Sequence, residues 1–227
     1  MPERETISFF GVRVGRFLFL LVSMVLMLTL RPFLSGFIGV KLLMDIFLCL
    51  ILVSGAYAVS EKRSTFLIGL TLVVPTLIGI GANYFFELPV AAFVSVQALE
   101  ALLMAYIAVV IVYNLFKGRE ITADIIFGAV CVYFLIGFFW ALVFSILETL
   151  QPGSFQIPQG LDTTLSHFVY YSCVTLTTLG YGDITPISPP ARSLALLEAI
   201  VGQLYLAIMI AGLVGIYISQ SINKESR

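Results

Sequence analysis

Charge is what this sequence has least of. Lys, Arg, Asp and Glu make up 11% of its 227 residues, against roughly 25% in a soluble domain. With 60% apolar residues, the chain cannot cover a globular surface with polar groups, so lipid is its expected solvent. A formal net charge of −1 gives no polyanion-binding surface, and no nucleic-acid partner is expected. Cysteine is scarce as well. Cys49, Cys131 and Cys173 lie in separate apolar runs with no paired spacing, which excludes a disulfide or thiolate–metal framework and reads as buried, reduced thiols. There is a single histidine, His167, with no nucleophile motif and no phosphate-binding loop. No enzyme activity and no cofactor are expected.

Long apolar runs are abundant. Crossing about 30 Å of hydrocarbon takes about 20 helical residues, and runs of that order occupy 14–34, 38–59, 65–85, 88–115, 123–148 and 191–218. Polar punctuation separates them at Arg31-Pro32, at Ser60 to Arg63, at Asn83 to Pro89 and at Lys117 to Glu120. The first run follows Arg13 and Arg16 as a signal peptide would. It ends without a small-residue cleavage site, so a retained membrane helix is expected. A seventh stretch, 164–177, would extend only about 20 Å at about 1.5 Å per residue, the length of a re-entrant half-helix. The expectation is an all-α membrane protein of six transmembrane helices plus one re-entrant pore helix.

Basic residues set the orientation. With the N-terminus inside, Arg4, Arg13, Arg16, Lys62, Arg63, Lys117, Arg119, Lys224 and Arg227 are cytoplasmic, and only Arg31, Lys41 and Arg192 face outward. That imbalance satisfies the positive-inside rule, so a multi-pass protein of the cell membrane with both termini cytoplasmic is expected. The boundary near Lys117 to Glu120 divides the chain into a four-span domain, 1–117, and a second domain, 118–227, with an outer helix, a half-helix and an inner helix.

Residues 175–183 read Thr-Leu-Thr-Thr-Leu-Gly-Tyr-Gly-Asp. A ring of backbone carbonyls can replace the hydration shell of a potassium ion. Aiming successive carbonyls at one axis requires the backbone to alternate in handedness, and left-handed geometry is cheap only for glycine, as at Gly180 and Gly182. The segment matches the potassium-channel signature TxTTxGYGD at every specified position. Over 123–218 the chain resembles a tetrameric potassium channel subunit, and over 1–117 it is similar to six-span channels in topology alone. The resemblance implies that the carbonyls of Thr178, Leu179, Gly180 and Tyr181 line the ion sites, that the Thr178 hydroxyl adds the innermost ring, that Gly182 provides geometry, and that the Tyr181 side chain packs behind the filter. Leu179 departs from the commoner valine or isoleucine. Tyr170 and Tyr171 match a pair of bracing aromatics, with Tyr170 positioned to donate toward Asp183. A buried glutamate found in many such channels is replaced by Val174.

The half-helix C-terminus, near Thr177, carries about half a negative charge that would stabilise a cation. In the last span, Gly202 has the spacing of an inner-helix hinge, with close packing as the other reading; Gln203, Leu206 and Ile210 would then line the cavity and inner gate. Glu198 lies in the same span and needs a partner or a proton, with pore-helix hydroxyls or His167 as candidates. His167 reads as packed beside the outer turret, with pH tuning as the alternative.

The first four spans lack cationic residues where a voltage sensor needs them. Residues 88–116 contain no Lys or Arg; Glu100 is their only charge, so depolarisation has no handle. Asp45 lies at the depth of Arg31 and Lys41 and pairs with one of them on this reading. Glu100, near mid-membrane, reads as a structural polar contact or as a proton or ligand sensor. One signature per chain implies a homotetramer in the lipid bilayer, with K+ as the permeant ion. The expected function is passive, potassium-selective permeation without voltage gating. The alternatives are a non-conducting regulatory subunit, a poorly selective cation channel, which the retained Gly-Tyr-Gly argues against, and a transporter, which the absence of an inverted repeat argues against.

Overall fold

Helices form where the apolar runs are uninterrupted, and their ends fall at residues that satisfy orphan backbone groups. The computed structural model describes residues 8–9, 12–13, 16–34, 51, 63–85, 88–117, 122–158 and 165–225. Six helices lie in these: α1 (Arg16–Leu34), α2 (Arg63–Phe85), α3 (Val90–Lys117), α4 (Ala123–Leu150), α5 (Leu165–Leu176) and α6 (Pro189–Glu225). The run expected over 38–59, with Asp45, lies outside the described residues apart from Ile51, which is buried. Among the described residues three helices are long and apolar enough to cross a membrane: Val90–Phe116, Asp124–Leu150 and Pro189–Ile218. Shorter apolar segments occupy Phe17–Thr29 and Leu67–Asn83.

The caps explain the boundaries. Pro89 starts α3 by offering its carbonyl to the amides of Ala92 (2.9 Å) and Phe93 (3.0 Å). Thr122 caps α4, its hydroxyl accepting from Ile125 N at 3.4 Å, and Asp124 puts a carboxylate in the first turn, where the helix dipole favours it. The same carboxylate accepts from Phe17 N at 3.3 Å, so it also binds one of the free amides at the start of α1. Ser188 caps α6, with Ala191 N donating to its hydroxyl (3.3 Å) and Arg192 N to its carbonyl (3.0 Å). Pro189 and Pro190 fill the first helical positions, where no N–H is needed. Within α2, Pro75 removes one amide donor.

Among the described residues, four two-residue strands depart from the all-helical expectation. β1 (Ser8–Phe9) pairs antiparallel with β2 (Val12–Arg13), and β3 (Phe155–Gln156) with β4 (Thr185–Pro186). The second ladder joins the segment leaving α4 to the segment entering α6.

α4 is the organising helix. It packs most extensively on α3, then on α5, α1 and α6, and its side chains Leu135, Phe138, Ala141 and Phe144 are almost completely buried. Trp140 stacks on Phe144 (5.9 Å), and Phe144 meets Phe155 (5.4 Å) and Tyr171 (5.1 Å) edge to face. Phe155 in turn packs on Phe168 (5.2 Å) and Tyr171 (5.4 Å). This aromatic cluster holds α5 against α4, and aromatic pairs of this kind contribute about 0.5–1.5 kcal/mol each beyond burial.

Candidate functional site

The site begins where α5 stops. Its last carbonyls fold the chain back: Thr177 N donates to Cys173 O (3.1 Å), Thr178 N to Thr175 O (3.0 Å), and Leu179 N and Gly180 N both to Val174 O (3.0 and 3.3 Å). From there the backbone alternates in handedness. Thr178, Gly180 and Gly182 have φ of 59°, 62° and 77°, and the residues between them do not. Left-handed geometry costs an L-residue about 1–2 kcal/mol, so glycine is the economical choice at two of these positions. Thr178 is the exception, a β-branched residue in a region such residues rarely occupy. Such strain is typical of functional segments. Nothing in threonine's own propensity signals it.

The filter-like segment is not covered by its own chain. The side chains of Leu179 and Tyr181 are 55% and 66% exposed, and Thr177, Thr178, Gly180, Gly182 and Asp183 are also exposed. Tyr170 donates its hydroxyl to Asp183 Oδ2 at 2.8 Å, which ties the half-helix to the end of the segment. That bond holds the Asp183 carboxyl below its ordinary range and pushes the Tyr170 phenol up to about 12.

The loop between α4 and α5 has an anchor that the sequence did not reveal. Glu148, in the last turn of α4, accepts from Gly153 N (2.8 Å, Oε1) and Phe155 N (3.1 Å, Oε2). Gly153, at φ 83°, makes the turn that lets both amides converge. Ser154 O then accepts from Ile187 N (2.8 Å) and Ser188 N (3.2 Å). An acid near a helix C-terminus runs against the dipole, and that mismatch was the available clue to a local partner.

Behind the segment, three elements meet. Tyr133 of α4 donates to Leu176 O at 3.1 Å. Tyr205 of α6 donates to Ala129 O at 2.6 Å, and the two tyrosine rings stack 6.1 Å apart. α6 runs unbroken through Gly202, which is buried against the end of α5. A Cβ placed there would lie 2.7 Å from Leu176 Cδ1 and 2.9 Å from Leu176 O, so this residue permits the close approach of the two helices. Gln203 and Ile210 are exposed and Leu206 is half-buried. Glu198 is fully buried and its Oε1 contacts Ser172 Oγ of α5. His167 is half-buried on α5, and Val174 is buried.

Glu100 is also buried, at 5% exposure, on α3. One turn before it, Gln97 is buried and donates from Nε2 to Ser145 Oγ of α4 at 2.8 Å. This polar bridge links α3 to α4. Sequence reading passed over Gln97, although its i, i+3 spacing to Glu100 puts both on one helix face. Among the described residues no group of three or more His, Cys, Asp or Glu side chains could hold a metal ion.

Comparison with known proteins matches this region. Residues 120–219 fit the family described as ion channel. The chain is 35% identical over 63 residues to the two pore potassium channel c of Oryza sativa subsp. japonica, covering 28% of this chain and 14% of that protein. It is 36% identical over 64 residues to the inward rectifier potassium channel Kirbac3.1 of Paramagnetospirillum magnetotacticum, covering 28% of this chain and 18% of that protein. The chain therefore spans less than a fifth of either relative's length. From Glu120 to Ser219, across α4, α5, the filter-like segment and most of α6, this chain is similar to ion channels.

Proposed function

We propose that the chain is one subunit of a homotetrameric potassium-selective channel that conducts K+ passively across the cell membrane. The observation that carries this reading is the left-handed alternation at Thr178, Gly180 and Gly182 directly after a 12-residue half-helix. Alternating handedness turns successive carbonyls the same way, and four such strands around an axis would replace the hydration shell of K+ with protein oxygens. The carbonyls of Thr178, Leu179, Gly180 and Tyr181 supply the sites and the Thr178 hydroxyl adds the innermost ring. The potassium-channel names of the two relatives support the choice of ion.

Four-fold assembly is supported by what the single chain leaves uncovered. In an apolar 18-residue window of Pro189–Ile218 only 11% is buried, against 56% in the corresponding window of Asp124–Leu150. Leu196, Leu204, Ile208 and Ile210 are all more than half exposed. In this reading α6 lines the pore and packs on its symmetry mates, and Tyr181 is covered by a neighbour. Gln203, Leu206 and Ile210 face the cavity and inner gate, and Gly202 is the position where the helix bends on opening. The membrane topology is six spans, with both termini cytoplasmic. The gate opens without a voltage sensor because residues 88–116 carry no cationic side chain, and charge displacement in the field is what would supply gating energy. Glu100 serves the contact between the four-span domain and the pore.

The test is flux of K+ against Na+ into liposomes holding the purified protein, with Ba2+ as blocker. Potassium-selective, barium-sensitive flux at zero voltage is the expected result. A verified tetramer silent at every voltage and pH would instead favour a regulatory pore-fold subunit.

A further inference from the structure

Ser172 has more partners than its single proton can serve. Its Oγ lies 2.7 Å from the carbonyl oxygen of Gly137 on α4 and is also in hydrogen-bond contact with Glu198 Oε1 on α6. A serine hydroxyl has one proton to donate and lone pairs to accept. The Gly137 carbonyl has no proton to give, so the contact with it requires the Ser172 proton. The contact with Glu198 then requires a proton from the carboxyl. The opposite assignment, with Ser172 donating to a carboxylate, leaves two oxygen lone pairs facing each other across 2.7 Å.

The surroundings favour the same proton count. Ser172 and Glu198 are both completely buried, and Glu198 Oε2 makes no hydrogen bond. A bare carboxylate oxygen in a membrane interior is far costlier than the carbonyl oxygen of a neutral acid. Tyr133 of α4 and Tyr171 and Cys173 of α5 interact electrostatically with Glu198, and all three are neutral in their protonated forms.

We infer that Glu198 is a protonated carboxylic acid that donates to Ser172, which donates to the Gly137 carbonyl, and that this chain of two hydrogen bonds positions the pore helix between the outer and inner helices. Ser172 lies two residues before Val174, whose carbonyl receives the amides of Leu179 and Gly180. Pinning α5 there fixes where the filter strand starts. Glu198 and Ser172 are positioning residues, since neither touches the permeating ion. The protonation state stands by itself, whereas the effect on permeation rests on the channel reading above.

Two measurements on the full-length protein in lipid test the two parts separately. Infrared spectroscopy at neutral pH is expected to show a protonated-carboxyl carbonyl band that shifts on deuteration and is absent in Glu198→Gln. Absence of a Glu198-dependent band would overturn the inference whether or not the protein conducts. For K+ flux, Glu198→Gln keeps a donor to Ser172 and is expected to stay within about threefold of wild type, whereas Glu198→Leu and Ser172→Ala each lose about tenfold or more, as for one lost buried hydrogen bond. Glu198→Gln as impaired as Glu198→Leu would show that a charge is needed and overturn the proton count. Glu198→Leu as active as wild type would overturn the positioning role. A wild type that shows the band without flux would count against the channel reading alone.

Discussion

Tyr133 of α4 donates its hydroxyl to the carbonyl of Leu176, the last residue of α5, at 3.1 Å. That carbonyl is one of the helix-terminal acceptors with no partner inside the helix. The bond therefore fixes the height of the half-helix end relative to α4. Tyr133→Phe keeps the ring and its stack on Tyr205 but leaves the Leu176 carbonyl unpaired. The expected cost is about 1–3 kcal/mol per chain, read as a lower melting temperature of the detergent-solubilised protein. An unchanged melting temperature would mean that water replaces the phenol without loss.

Glu148 holds the loop above α4 through two backbone amides, Gly153 N and Phe155 N. Hydrogen bonds to a charged acceptor contribute about 1.5–3 kcal/mol each. Glu148→Ala should release the turn and unseat Phe155, which is 4% exposed within the aromatic cluster. Glu148→Gln keeps one acceptor oxygen and should cost about half as much. Comparing the two by thermal melting checks the bidentate role, and equal losses in both would rule it out.

The Gly202 geometry separates two roles. An added Cβ would meet Leu176 Cδ1 at 2.7 Å and Leu176 O at 2.9 Å. A side-chain end can move, but a helix-terminal backbone carbonyl cannot move far. Gly202→Ala is expected to cost about 1–3 kcal/mol from overpacking and to weaken the proposed tetramer on native gels. A hinge role alone predicts normal assembly with altered opening in single-channel records. Leu176→Ala in the same background relieves the side-chain clash and should restore part of the stability, leaving the carbonyl contact as the remainder.

Much of this arrangement was legible in the sequence because membrane helices are dictated by length and apolarity alone. The runs expected over 65–85, 88–115 and 123–148 appear as α2, α3 and α4 within two residues at each end. α6 extends to Glu225, beyond the expected 218, since helical hydrogen bonding does not stop where hydrophobicity does. In the filter-like segment, Gly180 and Gly182 stood out because only glycine is indifferent to the sign of φ. Thr178 at φ 59° did not, since its conformation is imposed by Thr175 O and the turn after α5. The Tyr170 to Asp183 bond was implied by the resemblance of the Tyr170-Tyr171 pair to the bracing aromatics of potassium channels. Glu148, Gln97 and Tyr133 were not, because each partner is a backbone group or a side chain whose proximity depends on tertiary packing.

The Tyr170–Asp183 pair carries a pH signature. Asp183 is held below its ordinary value by the bond from Tyr170. Its stabilising contribution is present above about pH 3.9 and fades as pH falls through the lower folded value. Tyr170 is pushed up to about 12 by the same bond. Its contribution is present below about pH 10, the ordinary tyrosine value, and is lost as pH rises through about 12. The melting-temperature difference between wild type and Tyr170→Phe should therefore be flat between these limits and shrink on both sides. Tyr170→Phe should lower the melting temperature within these limits and approach wild type outside them. Parallel curves for wild type and variant would show that the pair contributes nothing.

The backbone alternation itself yields the sharpest expectation. At Gly180 and Gly182 no atom outside the local chain lies within 4 Å of an added Cβ, so within one chain an alanine there meets no steric block. Only the conformation opposes it, with φ of 62° and 77°, at about 1–2 kcal/mol for each L-residue held there. In the proposed tetramer the cost is repeated four times, about 4–8 kcal/mol per assembled filter, comparable to the stability of a whole domain. Gly180→Ala and Gly182→Ala should therefore leave the helical circular dichroism of each chain intact while abolishing the preference for K+ over Na+ in liposome flux. Replacement by D-alanine through semisynthesis, which favours positive φ, should restore it. If the D-residue fails as badly as the L-residue, the alternation is not what the glycines are for, and crowding by neighbouring subunits becomes the explanation to pursue.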